Sequence, residues 1–98
     1  MSERLQAIVD GLHIQADDRV LEIGCGHGVA AGMVCERLRS GRLLAIDKSK
    51  KMIDAASRRN HAHVVSGKAE FQVADVLEYN PGRRRFDKIF AVRVGLFY

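Results

Sequence analysis

Three glycines lie between a short apolar segment and a segment of helix-forming residues. Gly24, Gly26 and Gly28 alternate here with Cys25 and His27. Because glycines carry no side chain, a ligand can approach the backbone of such a turn and meet the free N–H groups that begin the next helix. The spacing predicts a ligand-binding turn, although a turn that only reverses the chain uses the same residue type.

Two carboxylates follow apolar segments further along the chain. Asp47 comes roughly 20 residues after the glycine turn, the position from which a carboxylate accepts hydrogen bonds from both hydroxyls of a ribose. Asp75 follows the next apolar segment, where it can accept from an exocyclic amine such as that of adenine. Each residue could instead cap a helix. In this order, after the glycine turn, the two carboxylates predict a nucleoside site.

Apolar periodicity predicts the helices and strands that position these residues. Helices are expected over residues 3–12, over 29–39 and between Ser49 and Gly67, the last with Val64 and Val65 on its apolar stripe. Strands are expected over residues 19–23, 43–46, 71–74 and 86–94. Apolar strands that alternate with helices predict an α/β fold, a doubly wound parallel sheet with helices on both faces. Its ligand crevice lies beyond the carboxyl ends of the strands.

The composition is that of one soluble domain over residues 1–98, since 47% of the residues are hydrophobic and 29% are charged. No apolar run reaches the roughly 20 residues that span a bilayer, and the N-terminus lacks the layout of a signal peptide. We therefore expect a cytoplasmic protein without a membrane partner. Cys25 and Cys35 have no Cys or His at metal-ligand spacing, which predicts reduced thiols and no metal site.

The net charge is +4, with arginines grouped at 58–59 and 83–85. Such groups could favour an anionic partner such as RNA. However, acidic residues are spread through the same chain, and no aromatic residues are interleaved with the arginines to stack bases. A solvated face is the favoured interpretation, and RNA is the less favoured partner.

The glycine pattern separates two classes of nucleoside site. The dinucleotide fingerprint G-x-G-x-x-G, counted from Gly24, requires a glycine where the chain has Val29. Residues 22–28 instead read E-x-G-x-G-x-G, and residues 20–28 resemble the first motif of class I S-adenosylmethionine-dependent methyltransferases. Residues 45–52, 71–76 and 86–92 resemble further motifs of this family, in the same order. The four segments are distributed over residues 20–92 of the 98-residue chain.

The resemblance implies a Rossmann-like fold and S-adenosylmethionine as the cofactor. It assigns Gly24 and Gly26 to the amino-acid portion of the cofactor, Asp47 to its ribose and Asp75 to its adenine amine. Glu22 would organise the glycine turn.

The resemblance also places Met52 and Val76 against the faces of the adenine. Met52 could equally be a core residue of an amphipathic helix, since both roles use the same inward face. Cys25 is favoured as a small turn residue over a nucleophile, because no histidine has a defined partner spacing. The full set implied at the cofactor is Glu22, Gly24, Cys25, Gly26, Gly28, Asp47, Lys48, Met52, Asp75, Val76 and Ala91.

The family's sheet has seven strands, and this chain supplies about four of them. We expect a truncated, cofactor-binding half of a methyltransferase that is inactive alone and self-associates through the open edge of its fourth strand. No catalytic residue is identified. An acid-Pro-Pro-Tyr type motif is not visible after Ala91, which weakens a DNA or glutamine acceptor and leaves small molecules, RNA and lipids open, with a small molecule favoured. The alternatives are a non-catalytic nucleoside-binding fragment and an NAD-dependent oxidoreductase, the latter opposed by Val29 and by the lack of a Tyr-x-x-x-Lys pair.

Overall fold

The computed structural model describes residues 2–92, which form four strands and four helices, with no helix between the last two strands. The elements are α1 (Ser2–Gly11), β1 (Arg19–Ile23), α2 (Val29–Arg37), β2 (Arg42–Asp47), α3 (Lys50–Arg59), α4 (His61–Val65), β3 (Ala69–Val73) and β4 (Lys88–Phe90). No helix among these residues is both long and apolar enough to cross a bilayer.

The four strands form one parallel sheet in the order β3-β2-β1-β4. The chain therefore moves outward from β1 to β3 and then returns to place β4 on the other side of β1. This reversal creates a switch point at the carboxyl end of β1, which is where ligands bind in open parallel sheets. The predicted α/β parallel architecture is confirmed.

The two faces of the sheet are covered differently. On one face Val20, Leu43 and Ala45 are buried against residues of α1, α2 and α3. On the other face Leu21, Leu44 and Ile46 form a second cluster, which residues of the 74–86 segment cover. Both faces of β1 and β2 are thus buried, as their continuous apolar sequences require. The expected helices on both faces were found on one face only within residues 2–92, because the non-helical 74–86 segment covers the other.

Two carboxylates attach β4 to the start of β1. Oδ2 of Asp87 accepts a hydrogen bond from the backbone N–H of Arg19 at 2.7 Å. Oδ2 of Asp18 accepts from the backbone N–H of Gln15 at 2.8 Å and from Nζ of Lys88 at 2.9 Å. These bonds, with the Gln15 bond foremost, hold the pKa of Asp18 below its usual value. They fix the register of a strand of only three residues.

The predicted helix between Ser49 and Gly67 is in fact two helices. The side chain of Ser49 caps α3 as expected, accepting from the N–H of Met52 at 3.2 Å. However, α3 ends at Arg59 with Asn60 as its C-cap, and α4 leaves Val64 and Val65 exposed, at 37% and 72%. The expected apolar stripe over Val64 and Val65 was therefore wrong.

Asn60 explains the break. It is 5% exposed, and its Nδ2 donates to the backbone oxygens of Gly28 and Ala56, both at 3.0 Å. A buried amide must find such partners, so this side chain ends α3 where it can reach the glycine turn.

The last two strands differ from their predicted bounds. β3 covers Ala69–Val73 instead of 71–74, because these five residues pair with Leu43–Asp47 of β2. β4 covers Lys88–Phe90 within the predicted 86–94, and Phe86 lies before it in the second cluster. The expected strand residues 93 and 94 lie outside the described part of the chain.

Candidate functional site

A cavity of about 380 Å³ opens at the carboxyl ends of β1 and β2. It lies at the switch point of the sheet, between the glycine turn and the end of β2. Seven of the sequence-predicted residues line it together: Glu22, Gly24, Cys25, Gly26, Gly28, Asp47 and Met52.

Asp47 connects the two strand ends. Its Oδ2 accepts a hydrogen bond from the N–H of Gly26, and its Oδ1 accepts from the N–H of Ser49, both at 2.9 Å. One residue earlier, the carbonyl of Ile46 accepts from the N–H groups of Gly24 and Cys25, at 2.8 and 3.0 Å. The end of β2 therefore holds the glycine turn in place. Each carboxylate oxygen keeps a further lone pair for a ligand hydroxyl.

Two glycines of the turn meet different constraints. Gly26 has φ +55°, and a Cβ there would meet nothing within 4 Å, so the backbone is open to a ligand. Gly28 has φ +88°, and a Cβ there would lie 2.7 Å from Nδ2 of Asn60 and 2.9 Å from Cβ of Ala56. Gly28 is thus required for packing of the turn against α3.

Glu22 is a buried acid in the wall of the cavity. It is 1% exposed, and its Oε1 has no hydrogen-bond partner among the described residues. Burial foremost, and then the negative charge of Asp47, raises the pKa of Glu22 to about 8. The neutral carboxyl is therefore the main form at neutral pH.

Comparison with known proteins agrees with this geometry. Residues 20–98 match the family described as the methyltransferase domain. The chain belongs to this family. It is 31% identical over 85 residues to YrhH of Bacillus subtilis, covering 87% of this chain and 46% of that protein. It is 30% identical over 91 residues to malonyl-[acyl-carrier protein] O-methyltransferase 1 of Ilyobacter polytropus, covering 93% of this chain and 32% of that one.

A solved structure supports the same relationship. The S-adenosylmethionine-dependent methyltransferase from Thiobacillus denitrificans, in complex with S-adenosyl-L-homocysteine, superposes with a TM-score of 0.79 at 26% identity. The match covers 96% of this chain and 37% of that one. This methyltransferase domain therefore spans less than half the length of each of the three relatives.

Cys25 has the properties of a turn residue in this methyltransferase domain. Its thiol donates to the carbonyl of Gly26 at 3.5 Å. Burial foremost, and then the charges of Glu22 and Asp47, raises its pKa to about 12. Because the thiolate is the nucleophilic form, a neutral thiol supports the interpretation that favoured a turn residue. Cys25 and Cys35 are both free thiols, as expected.

Four other predicted residues lie outside the cavity lining: Lys48, Asp75, Val76 and Ala91. Asp75 is half-buried, and its Oδ1 accepts from the N–H of Leu77 at 2.9 Å. Val76 is 48% exposed. The contacts with adenine expected of Asp75 and Val76 remain predictions.

Sequence reasoning missed one side of the cavity. Arg4 and Leu5 line it from α1, and Val92 lines it from beyond β4. The apolar spacing of residues 3–12 indicated a helix, but nothing in it indicated that the helix begins beside the glycine turn. Among the described lining residues, Arg4 alone is permanently cationic. Within residues 2–92, no group of three His, Cys, Asp or Glu side chains could hold a metal ion.

The raised pKa of Glu22 predicts a pH-dependent stability. Between pH 4.5 and about 8 the unfolded chain loses a proton that folded Glu22 keeps. Protonated Glu22 therefore makes its full contribution to the free energy of unfolding below pH 4.5. This contribution is lost as the pH rises to about 8, at up to about 1.4 kcal/mol per pH unit. Urea unfolding of Glu22→Gln should show a smaller loss of stability over this window than the unmodified chain.

The matched control is Glu78→Gln, which removes an exposed carboxyl. Its stability should follow the unmodified chain at every pH. Parallel curves for Glu22→Gln and the unmodified chain would show that Glu22 ionises normally in the folded state.

Proposed function

We propose that this chain binds S-adenosylmethionine in the cavity at the ends of β1 and β2, as part of a methyltransferase. The observation that carries the proposal is the Asp47 carboxylate opposite the Gly24–Gly28 turn around one cavity. Its volume of about 380 Å³ lies within the range of sites for small molecules, about 300–1,000 Å³. The ligand bound by the Thiobacillus relative, S-adenosyl-L-homocysteine, is the demethylated form of this cofactor.

The charges of the cavity suit such a ligand. S-adenosylmethionine carries a sulfonium, an ammonium and a carboxylate. The carboxylate of Asp47 favours a cation beside it, and the unpartnered Oε1 of the neutral Glu22 carboxyl can accept from an ammonium. Arg4 and the N–H groups that begin α2 at Val29 favour the carboxylate.

Asp47 is the proposed partner of the ribose. Both of its oxygens are fixed by backbone N–H groups, so its orientation is set before the ligand arrives. Met52, from the first turn of α3, lines the same cavity and is proposed to pack on the adenine. Asp75 and Val76, which follow β3, are proposed to contact the adenine. Lys48, which follows β2, and Ala91, which follows β4 on the other side of β1, are proposed as further cofactor contacts.

The sulfonium supplies an already activated methyl group, so the protein mainly has to align an acceptor atom behind the methyl and exclude water. No general base is assigned. A small-molecule acceptor is proposed because the arginines of residues 83–85 are not interleaved with stacking aromatics. A cytoplasmic location is proposed with it.

The first test compares two nucleoside ligands. Because the turn has Val29 where the dinucleotide fingerprint has glycine, S-adenosylhomocysteine should bind and NAD should not. Titration calorimetry on the folded chain measures both. Tighter binding of NAD than of S-adenosylhomocysteine would contradict the assignment, and failure of both to bind would refute a nucleoside site.

The second test removes the Asp47 carboxylate. Asp47→Ala should weaken S-adenosylhomocysteine binding by at least about tenfold, because charge-assisted hydrogen bonds to the ribose and the support of Gly26 are lost. Asp54→Ala is the control, since its carboxylate pairs with Lys50 on the surface of α3. Circular dichroism establishes that both variants are folded. Equal dissociation constants in a folded Asp47→Ala and the control would rule out the proposed role.

Self-association through β4 is proposed as well. Within residues 2–92, β4 is an edge strand that pairs only with β1, and its Ile89 is 58% exposed. Unpaired backbone groups beside an apolar side chain favour strand pairing. Sedimentation should show oligomers that Ile89→Lys shifts towards monomer, whereas Val65→Lys on exposed α4 should not. A monomer at every concentration tested would contradict this proposal.

A further inference from the structure

A second cavity, of about 390 Å³, lies at the opposite edge of the sheet. It is bounded by the amino ends of β1 and β2 and by the segment that returns to β4. Four arginines line it: Arg19, Arg42, Arg84 and Arg85. It shares no lining residue with the cofactor cavity, so a ligand bound here is independent of the proposed function.

The sheet brings two of these arginines together. Arg19 and Arg42 are the first residues of β1 and β2, and they are partners in the parallel register. Paired residues of neighbouring strands project to the same face. Their side chains therefore share one corner of the sheet, on the face that carries Leu21 and Leu44.

The segment before β4 brings the other two arginines, Arg84 and Arg85, to the same cavity. Phe86 packs into the cluster of Leu21 and Leu44, which fixes the chain next to the amino ends of the strands. Arg84 and Arg85 immediately precede it and line the cavity with it. Two pairs of arginines that lie far apart in the sequence thus meet at one site.

The acidic residues nearby balance only part of this charge. Arg84 pairs with Glu70 at 3.4 Å, and Nε of Arg19 lies 3.8 Å from Oδ2 of Asp87, all on exposed side chains. Such exposed pairs are weak and can open. Nη1 of Arg42 donates to the carbonyls of Ser40 and Gly41, at 3.0 and 2.9 Å, and no carboxylate within residues 2–92 forms an ion pair with Arg42.

Arg85 has no ion pair within residues 2–92. The four guanidinium groups of the cavity therefore exceed their two carboxylate partners, Glu70 and Asp87, by two positive charges.

We propose that this cavity binds the oligophosphate group of a small molecule. Guanidinium groups match phosphate oxygens in bidentate geometry, and several arginines gathered around one cavity suit a ligand with several negative charges. Phe86 and Leu44 provide an apolar wall for the remainder of such a ligand. A nucleic acid strand fits less well, because Phe86 is the one aromatic residue among the described lining residues and a strand needs successive aromatic faces to stack its bases.

The test is titration calorimetry of the full chain at low salt with inorganic pyrophosphate and, separately, with ADP. Pyrophosphate should bind, and the double variant R84Q/R85Q should weaken it by at least about tenfold, since two charge-assisted contacts are lost. Arg83→Gln is the matched control, because Arg83 is adjacent in sequence, exposed and outside the cavity lining. Tighter binding of ADP than of pyrophosphate would identify a nucleotide as the source of the oligophosphate, and equal binding would identify the oligophosphate alone.

Arg42→Gln provides an independent variant in case the double variant does not fold, and it should also weaken pyrophosphate binding. Binding of S-adenosylhomocysteine should be unchanged in all of these variants, because the two cavities share no residues. The proposal is overturned if pyrophosphate does not bind, or if Arg83→Gln weakens it as much as the double variant. It is also overturned if single-stranded RNA binds and pyrophosphate does not displace it.

Discussion

The carboxylate of Asp47 is the contact on which the candidate site depends. It accepts hydrogen bonds from the N–H groups of Gly26 and Ser49, and so it connects the turn after β1 to the start of α3. Without it, a turn built of glycines would have many accessible conformations, because glycine loses the most conformational freedom on ordering. Together with the carbonyl of Ile46, which accepts from the N–H groups of Gly24 and Cys25, this side chain holds the ligand-binding turn after β1 in place.

This arrangement constrains its surroundings. The turn held by Asp47 ends at Gly28, whose conformation and contact with Asn60 leave no room for a side chain. The same geometry places a second carboxyl, that of Glu22, in the wall of the cavity, where it interacts electrostatically with the charge of Asp47. Burial foremost, and then the nearby negative charge of Asp47, raises the pKa of Glu22 and disfavours its ionisation. A site with this electrostatic imbalance is suited to a cationic ligand, as the sulfonium cofactor is.

The sequence alone predicted the elements whose patterns are local. The apolar runs of β1 and β2, the glycine turn and the cap at Ser49 are each read from neighbouring residues, and the structure confirms them. The break at Asn60 could not be predicted, because it depends on a bond to Gly28, 32 residues away. Arg4 could not be predicted at the first cavity either, because its position there depends on the packing of α1 beside residues that are distant in the sequence. The meeting of Arg19 with Arg85 at the second cavity likewise required the strand order.

The most direct test of the proposed cofactor site is a crystal structure of this chain grown with S-adenosylhomocysteine. We predict ligand density in the cavity between the Gly24–Gly28 turn and Asp47, with both ribose hydroxyls within hydrogen-bond distance of the Asp47 carboxylate. The N–H bonds from Gly26 and Ser49 to that carboxylate should be kept. Density with the ribose away from Asp47, or ligand bound elsewhere on the chain, would contradict the proposed site.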